Sequence, residues 1–444
     1  MNQTNMIGNY RWRICALVFF ATTINYLDRQ VISLLKPFLE EDGLFGTDPA
    51  HYESIYANIV ICFQVAYASG MLLVGSIIDK FGTKIGYAVS LFGWSLAAIG
   101  HAFARGPLGF GIARAALGVP EAGNFPAANK TVAEWFPKKE RALATGIYNS
   151  GTNVGAIVAP LVVPLIAVVW NWKWAFIITG AIGLIWLFFW EVIYESPEKK
   201  LKKGKLSQVE YDHIMSDKDE VIHADGTTGP KLSWVKLLTF RQTWAFFLGK
   251  LLTDPIWWFF LFWLPAFLKE QYGLVGTQVS IPLAVVYTMT TVGSIFGGWL
   301  PKRFMEKGMD ANRARKTSMF IYALFPLTVL SAQYLGDFNM WYAVIIIGIA
   351  ASAHQAWSAN IFTTVSDMFP KRAIASVTGI GGMAGAIGGI MIAKAAGVLF
   401  DHFKAMGDIR IGYGIMFVVC ALAYIIAWFV MHMLVPKFKK IDID

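Results

Sequence analysis

Apolar runs of roughly twenty residues, separated by short polar loops, recur along nearly the whole chain. A helix needs about 20 such residues to cross a bilayer. The pattern predicts twelve spanning helices, centred near Tyr26, Gln64, Trp94, Glu121, Asn153, Leu184, Trp257, Val286, Pro326, Ala350, Gly388 and Ala421. The run from Ile14 to Phe38 follows Arg11 and Arg13, as a secretory leader would. It is too long for one and has no small-residue cleavage site, so it reads as the first span. One long break, from about Tyr194 to Arg241, is polar, mixed in charge and rich in lysine from Lys199 to Lys205. A soluble domain of that length would be unusually small, so a linker is expected. The expected organisation is an N-terminal six-helix half (1–194), a cytoplasmic linker (195–240) and a C-terminal six-helix half (241–444).

Composition agrees with a polytopic all-α membrane protein. The chain is 56% hydrophobic and only 15% charged, far from the balance of a soluble domain. Its net charge of +9 does not point to nucleic acid, because the lysines and arginines lie in alternate short loops. Arg11/Arg13, Lys80/Lys84, Lys138/Lys139/Arg141, Lys302/Arg303/Lys307, Arg313/Arg315/Lys316, Lys371/Arg372 and Lys437/Lys439/Lys440 fall on one side, and Glu40-Glu41-Asp42 on the other. The positive-inside rule then expects both termini in the cytoplasm of a bacterial-type inner membrane. Cys15, Cys62 and Cys420 all fall in apolar helices, so neither a disulfide framework nor a zinc site is implied. There is no phosphate-cradling loop, metal-ligand spacing or nucleophile elbow, which disfavours an ATP-driven pump and a membrane enzyme. The expected energy source is an ion gradient, with no cofactor and no metal.

The two halves repeat. Phe136-Pro-Lys-Lys-Glu-Arg-Ala-Leu-Ala-Thr-Gly146 matches Phe369-Pro-Lys-Arg-Ala-Ile-Ala-Ser-Val-Thr-Gly379 without a gap. Each segment opens a glycine-rich span, carrying Gly151 and Gly155 in the first and Gly381, Gly385 and Gly389 in the second. Small residues four apart let two helices approach closely. Parallel repeats of this kind place a substrate site between the halves near the midplane. The same offset sets Glu121 against His354, at similar depth on opposite sides of a central cavity.

Charges inside the spans are few and grouped. The first span holds Asn25-Tyr26-Leu27-Asp28-Arg29-Gln30, and the fourth holds Arg114 and Glu121. A charge in hydrocarbon costs at least a few kcal/mol, so it normally faces a partner or a wet path. With a rise of ~1.5 Å per residue, Asp28 stands ~21 Å up from one surface and Arg114 ~10 Å down from the other, which is about the same level. The two are therefore expected to pair, with Glu121 two turns deeper and the helix loosened by Pro120 and Pro126.

Each charged group has a functional reading and a bland one. Asp28 is a proton carrier or a fixed partner of Arg114. Arg29 clamps a substrate carboxylate through its bidentate fork, or it snorkels to the surface. Glu121 is a second proton site or a stiffening salt bridge to Arg114. His354 titrates, donates to a hydroxyl, or packs against a backbone carbonyl.

Tyr26, Asn25, Gln64, Tyr67, Asn149, Asn153, Lys250, Asp254, Trp257, Gln355, Trp357, Ser358 and Asn360 supply the aromatic faces, amides and hydroxyls that a polyol site uses. Asp254-Pro255 is expected to break the seventh span, and Lys250 to neutralise Asp254. Lys36, Lys130 and Lys394 lie near span ends and are expected to snorkel.

Gly75-Ser-Ile-Ile-Asp79-Lys80-Phe-Gly82-Thr-Lys84 joins the second and third spans. An acid at a helix end, with cations beyond it, is suited to latch neighbouring helices and release them as the halves rock. The counterpart from Gly298 to Gly308 lacks the acid, so an asymmetric latch is expected.

Gly75 to Lys84 resembles the signature loop of the major facilitator superfamily. Tyr26-Leu-Asp-Arg29, Arg114 with Glu121-Ala-Gly-Asn-Phe-Pro126, and Glu134-Trp-Phe-Pro-Lys-Lys-Glu-Arg141 resemble its anion:cation symporter family. Thr83-Lys-Ile-Gly-Tyr87, Asp254-Pro-Ile-Trp257, Trp263-Leu-Pro265, Arg315-Lys316, Ala353-His-Gln-Ala356 and Ser366-Asp-Met-Phe369 resemble the hexuronate branch.

The resemblance covers the whole chain and implies proton-coupled import of a sugar acid such as galacturonate or glucuronate by alternating access. It implies Arg29 as the holder of the substrate carboxylate, Asp28 and Glu121 as proton carriers, and Arg114 as their counter-ion. The expected partners are a small organic anion, protons and lipid, with no nucleic acid and a monomeric state. The rivals are a symporter for an aldonate, aldarate or aromatic carboxylate, an exporter of amphipathic drugs, and a non-transporting receptor.

Overall fold

A computed structural model of the protein describes residues 8–46, 48–216, 234–369, 371–438 and 441. Among them there is no strand, only helices and connecting turns. The first group comprises α1 (Tyr10–Glu41), α2 (Tyr52–Phe81), α3 (Thr83–Gly100), α4 (Gly106–Glu121), α5 (Asn124–Trp135), α6 (Lys138–Val169) and α7 (Trp172–Ile193). Three short helices follow: α8 (Pro197–Lys202), α9 (Gln208–Met215) and α10 (Trp234–Leu237). They belong to the stretch expected to be a linker, whose residues 217–233 lie outside the described ones. The second group comprises α11 (Arg241–Tyr272), α12 (Ser280–Glu306), α13 (Ala311–Leu324), α14 (Ala332–Phe338), α15 (Met340–Met368), α16 (Lys371–Ala405) and α17 (Ile409–Leu434).

Ten helical segments among the described residues are long and apolar enough to cross a membrane. The two expected spans outside this set are α1 and the α4–α5 pair, which carry Asp28, Arg29, Arg114 and Glu121, all buried. α4 ends at Glu121, with Pro120 in its last turn, and α5 begins at Asn124. Proline removes a backbone donor and crowds the preceding turn, so the loosening expected around Glu121 is a complete interruption.

The break expected at Asp254-Pro255 is absent. α11 runs unbroken through both Pro255 and Pro265. In the second group the interrupted span is instead the ninth, where a 3-10 stretch, Phe325–Ser331, with Pro326 in its first turn, separates α13 from α14.

Packing follows the repeat. α1 lies against α6, α2 against α4 and α3 against α7, while α12 lies against α15 and α11 against α16 and α17. The two groups meet where α2 packs on α16, α6 on α12 and α1 on α11. Glycine permits the closest approach: a Cβ on Gly155 of α6 would sit 2.4 Å from the Thr23 carbonyl oxygen of α1. Leu108, Phe188, Ile295 and Met433 are exposed on the outside of the bundle, as a lipid-facing surface requires.

Both ends of the bundle are tied. At the end bearing the chain termini, Arg11 of α1 bonds Glu140 of α6 at 2.8 Å and Glu210 of α9 at 3.4 Å. At the opposite, acidic-loop end, Glu40 pairs with Lys269 of α11 at 2.7 Å, and Tyr56 donates to the Phe262 carbonyl at 3.0 Å. Lys36 does not snorkel. It is buried and bonds Glu53 at 2.5 Å and Glu40 at 3.3 Å, because the end of α2 brings a carboxylate within reach.

Candidate functional site

Arg29 sits at the meeting of α1, α2, α4 and α11, almost wholly buried. Its Nε and Nη2 both donate to Glu121 Oε2, at 3.1 and 2.9 Å. Nη2 also reaches Asn25 Oδ1 at 3.2 Å, one turn back on α1. Four rings surround the guanidinium: Tyr67 at 4.7 Å, Tyr26 at 4.8 Å, Phe63 at 5.2 Å and Trp258 at 5.5 Å. Aromatic faces attract a cation most strongly where water is excluded. Arg29 is therefore held in place by one carboxylate and a cage of π-faces from both helix groups.

Arg114 takes a different place from the one expected. Its Nη2 donates to the backbone carbonyl of Arg29 at 2.8 Å, and its guanidinium lies 5.2 Å from the Phe63 ring. Glu121 takes Arg29 as its hydrogen-bonded partner, so Arg114 acts on the pair from behind.

Asp28 and Arg29, adjacent in sequence, point about 100° apart around the helix. Arg29 turns to Glu121 and the aromatic rings. Asp28 has the charge of Glu121, Thr179 of α7 and the charge of Arg114 for polar surroundings. The expected Asp28–Arg114 pair does not form, because residues at one level on different helix faces do not meet.

Buried polar side chains nearly always find a partner. Here both Asp28 oxygens, Glu121 Oε1, Arg114 Nε and Nη1, both amide atoms of Gln64, and Asn153 Oδ1 reach none. This concentration of unmatched donors and acceptors marks the region as a polar site and distinguishes it from an ordinary helix interface.

A second polar cluster lies within the second helix group. Trp257 of α11 stacks on His354 of α15, with centroids 5.4 Å apart and planes 9° apart. His354 Nδ1 lies 2.7 Å from the Tyr424 hydroxyl, which itself reaches the Thr253 carbonyl at 3.4 Å. Lys250 and Asp254 form an ion pair at 2.6 Å.

Gln355 and Ser358 are half-buried. Trp357 is fully buried with its ring edge-on to Tyr424. Asn360 donates its amide to the Gly297 and Ala356 carbonyls at 2.7 and 2.9 Å, bonding α15 to α12.

The structure thus groups Tyr26, Arg29, Gln64, Tyr67 and Glu121 tightly, with Arg114 behind them. It does not bring Trp357 and Asn360 into that group. Sequence reasoning passed over Phe63, Trp258 and Thr179. The first two carried a signal, since Phe63 precedes Gln64 and Trp258 stands one turn after Asp254. Thr179 carried none.

The loop between α2 and α3 turns at Gly82 with φ of +83°, a conformation that costs glycine little. Lys84 donates to the Glu191 carbonyl at 2.9 Å and pairs with its carboxylate at 3.3 Å. Glu134 accepts from the Thr83 hydroxyl at 2.5 Å and from Tyr194. The side chains of Asp79 and Lys80, and the surroundings of Gly75, lie outside the described ones.

Comparison with known proteins places this geometry in a family. Residues 18–393 match the model of the Major Facilitator Superfamily. Over 432 residues the chain is 30% identical to the hexuronate transporter of Escherichia coli strain K12, covering 96% of this chain and 95% of that protein. It is 32% identical over 300 residues to the galacturonate transporter of Dickeya chrysanthemi, covering 68% of this chain and 84% of that one.

Among solved structures, a bacterial homologue of the human lysosomal transporter Spinster superposes with a TM-score of 0.76 at 16% identity, covering 97% of this chain and 98% of that chain. That likeness carries the fold. The chain belongs to the major facilitator superfamily, among relatives of the bacterial hexuronate transporters, and is a multi-pass membrane transporter, not an enzyme.

Proposed function

We propose that the protein is a proton-coupled symporter that imports a sugar acid, with a hexuronate such as galacturonate as its substrate. The observation that carries this reading is the buried Arg29–Glu121 pair, in which one guanidinium faces one carboxylate among aromatic rings and close to unmatched polar groups. A substrate carboxylate and the Glu121 carboxylate compete for the same fork. Protonating Glu121 removes its charge and weakens its hold on Arg29, which frees the bidentate face for the substrate.

The sugar ring then stacks on Tyr26, Tyr67 or Trp258, and Gln64 and Asn153 take its hydroxyls. With proton and substrate both bound, the site is closer to neutral than with either charge alone, which permits occlusion and rocking of the two helix groups. Asp28 is the second candidate proton carrier. The names of the two relatives, a hexuronate and a galacturonate transporter, support the choice of substrate. In this reading the protein works as a monomer with its termini in the cytoplasm.

The test is uptake of labelled galacturonate by proteoliposomes with and without an inward acid gradient. Accumulation above the external concentration only with the gradient is the expected result. Equal uptake in both conditions would remove the coupling. Absence of galacturonate uptake beside counterflow of an aldonate or aldarate would reassign the substrate.

A further inference from the structure

Arg29 has a charged counterpart on α11. Lys250, Asp254 and Trp258 recur every four residues of α11 and so share one face of that helix. Trp258 is the residue on that face that touches Arg29, at 5.5 Å. Asp254 lies one turn away, close enough to Tyr26 to act on it electrostatically together with Arg29 and Glu121.

The glycines of α16 confirm the placement. A Cβ on Gly385 would sit 2.2 Å from Asp254 Oδ2, and one on Gly389, a turn further, 3.0 Å from both Gln64 Nε2 and Trp258 Cδ1. Gln64, Trp258 and Asp254 therefore line consecutive turns of one glycine strip.

The Lys250–Asp254 pair is oriented. Lys250 Nζ binds Asp254 Oδ2 at 2.6 Å and lies over the Phe362 ring at 4.4 Å. The lysine side chain is 6% exposed and the aspartate 18%. The cation is thus the more deeply buried of the two, and the carboxylate is the more exposed member of the pair.

The mechanism above uses the cation of the first helix group and leaves this acid unemployed. Such a carboxylate accepts hydrogen bonds from hydroxyls and repels a second carboxylate. Like charges brought together at a desolvated site repel strongly.

We infer that Asp254 is a specificity-determining residue. It accepts the hydroxyls at the end of the sugar away from Arg29, and it excludes acids that carry a second carboxylate there. The inference rests on the sugar-acid reading of the Arg29 site. It adds that the chamber distinguishes a six-carbon mono-acid from the corresponding diacid by charge at α11.

The experiment measures binding and transport on purified full-length protein with two probes, galacturonate and galactarate. Binding is read as the ligand-dependent rise in thermal unfolding temperature, and transport as counterflow in proteoliposomes. In the native protein galacturonate is preferred. Asp254→Asn keeps an acceptor for hydroxyls but exposes the charge of Lys250, and shifts the galactarate-to-galacturonate affinity ratio toward the diacid by about tenfold or more. Lys250→Met breaks the same ion pair from its other side and also moves the ratio away from its native value.

An unchanged ratio in both variants overturns the inference while leaving the Arg29 site standing. A native protein that binds neither acid defeats the underlying reading instead. Asp254→Asn needs no transport activity to be informative, because binding alone gives the ratio. A variant that fails to fold leaves the Lys250→Met arm to decide.

Discussion

Asp401, near the end of α16, accepts the backbone N–H of Glu53 at 2.9 Å and of Ser54 at 2.8 Å. One carboxylate from the second helix group thereby caps the first turn of α2 in the first group. The unbonded amides of a helix N-terminus favour an anion, and this one sits beside the Lys36–Glu53 and Glu40–Lys269 pairs. Together they close the acidic-loop end. Losing a side-chain cap costs about 0.5–2 kcal/mol, so Asp401→Ala is expected to open that end more often. With exposed Cys62 replaced by serine and a cysteine placed at Ser54, labelling by a membrane-impermeant maleimide should speed up several-fold. Asp401→Asn, which keeps one acceptor, should fall between. Equal labelling in all three would show that the cap does not restrain this end.

Glu121→Gln separates the two roles proposed for the Arg29 pair. Glutamine keeps an oxygen for Arg29 but takes up and releases no proton. Exchange of internal for external substrate should persist, and accumulation driven by an acid gradient should disappear. Arg29→Lys replaces a planar fork by a point charge, and apparent affinity for a sugar acid should fall by about tenfold or more. Gradient-driven accumulation by Glu121→Gln would take proton coupling away from this residue.

The fold was largely legible because hydropathy alternates on the scale of a bilayer and the two glycine-rich repeats align without a gap. What periodicity could not show was azimuth. Asp28 and Arg114 share a level, yet α1 turns Asp28 toward α7 and Arg29 toward α4, so the pair that forms is Arg29–Glu121. Proline was also ambiguous: Pro255 sits in an unbroken helix, while Pro120 and Pro326 mark real interruptions. The capping role of Asp401 depends on contact between residues more than three hundred positions apart, and no local pattern announces it.

Gly155→Ala tests the close contact between α1 and α6. The added methyl would meet the Thr23 carbonyl oxygen at 2.4 Å and Tyr26 Cβ at 2.9 Å. Neither can yield without moving α1, and overpacking of this kind costs roughly 1–3 kcal/mol. Because Tyr26 and Arg29 ride on the displaced segment, the variant should lose substrate affinity along with thermal stability. Gly146→Ala, on the same helix but with open space at the Cβ, is the control and should leave affinity unchanged and stability equal or slightly higher, since alanine favours the helix. A Gly155→Ala protein as stable as the control would mean that the helices are less tightly apposed than this packing indicates.

The tie at the terminal end has a pH dependence whose sign can be worked out. Partial burial pushes the Glu140 carboxyl up, but hydrogen bonds from Arg11 and His213 outweigh it and hold the group below its ordinary value. A carboxyl lowered by folding contributes stability above its unfolded value and loses that contribution as pH falls through the folded one. The joint between α1, α6 and α9, made at 2.8 Å by Arg11 and 2.9 Å by His213, should therefore loosen only in acid below the ordinary carboxylate range. Hydrogen exchange of the α9 amides reads it directly: protection should hold at neutral pH and decline in that acid window. Glu140→Gln, which has no charge to lose, should show weak protection at neutral pH and little further change on acidification. If the native protein and the variant decline together, the pH response belongs to other groups and the Glu140 joint is not its cause.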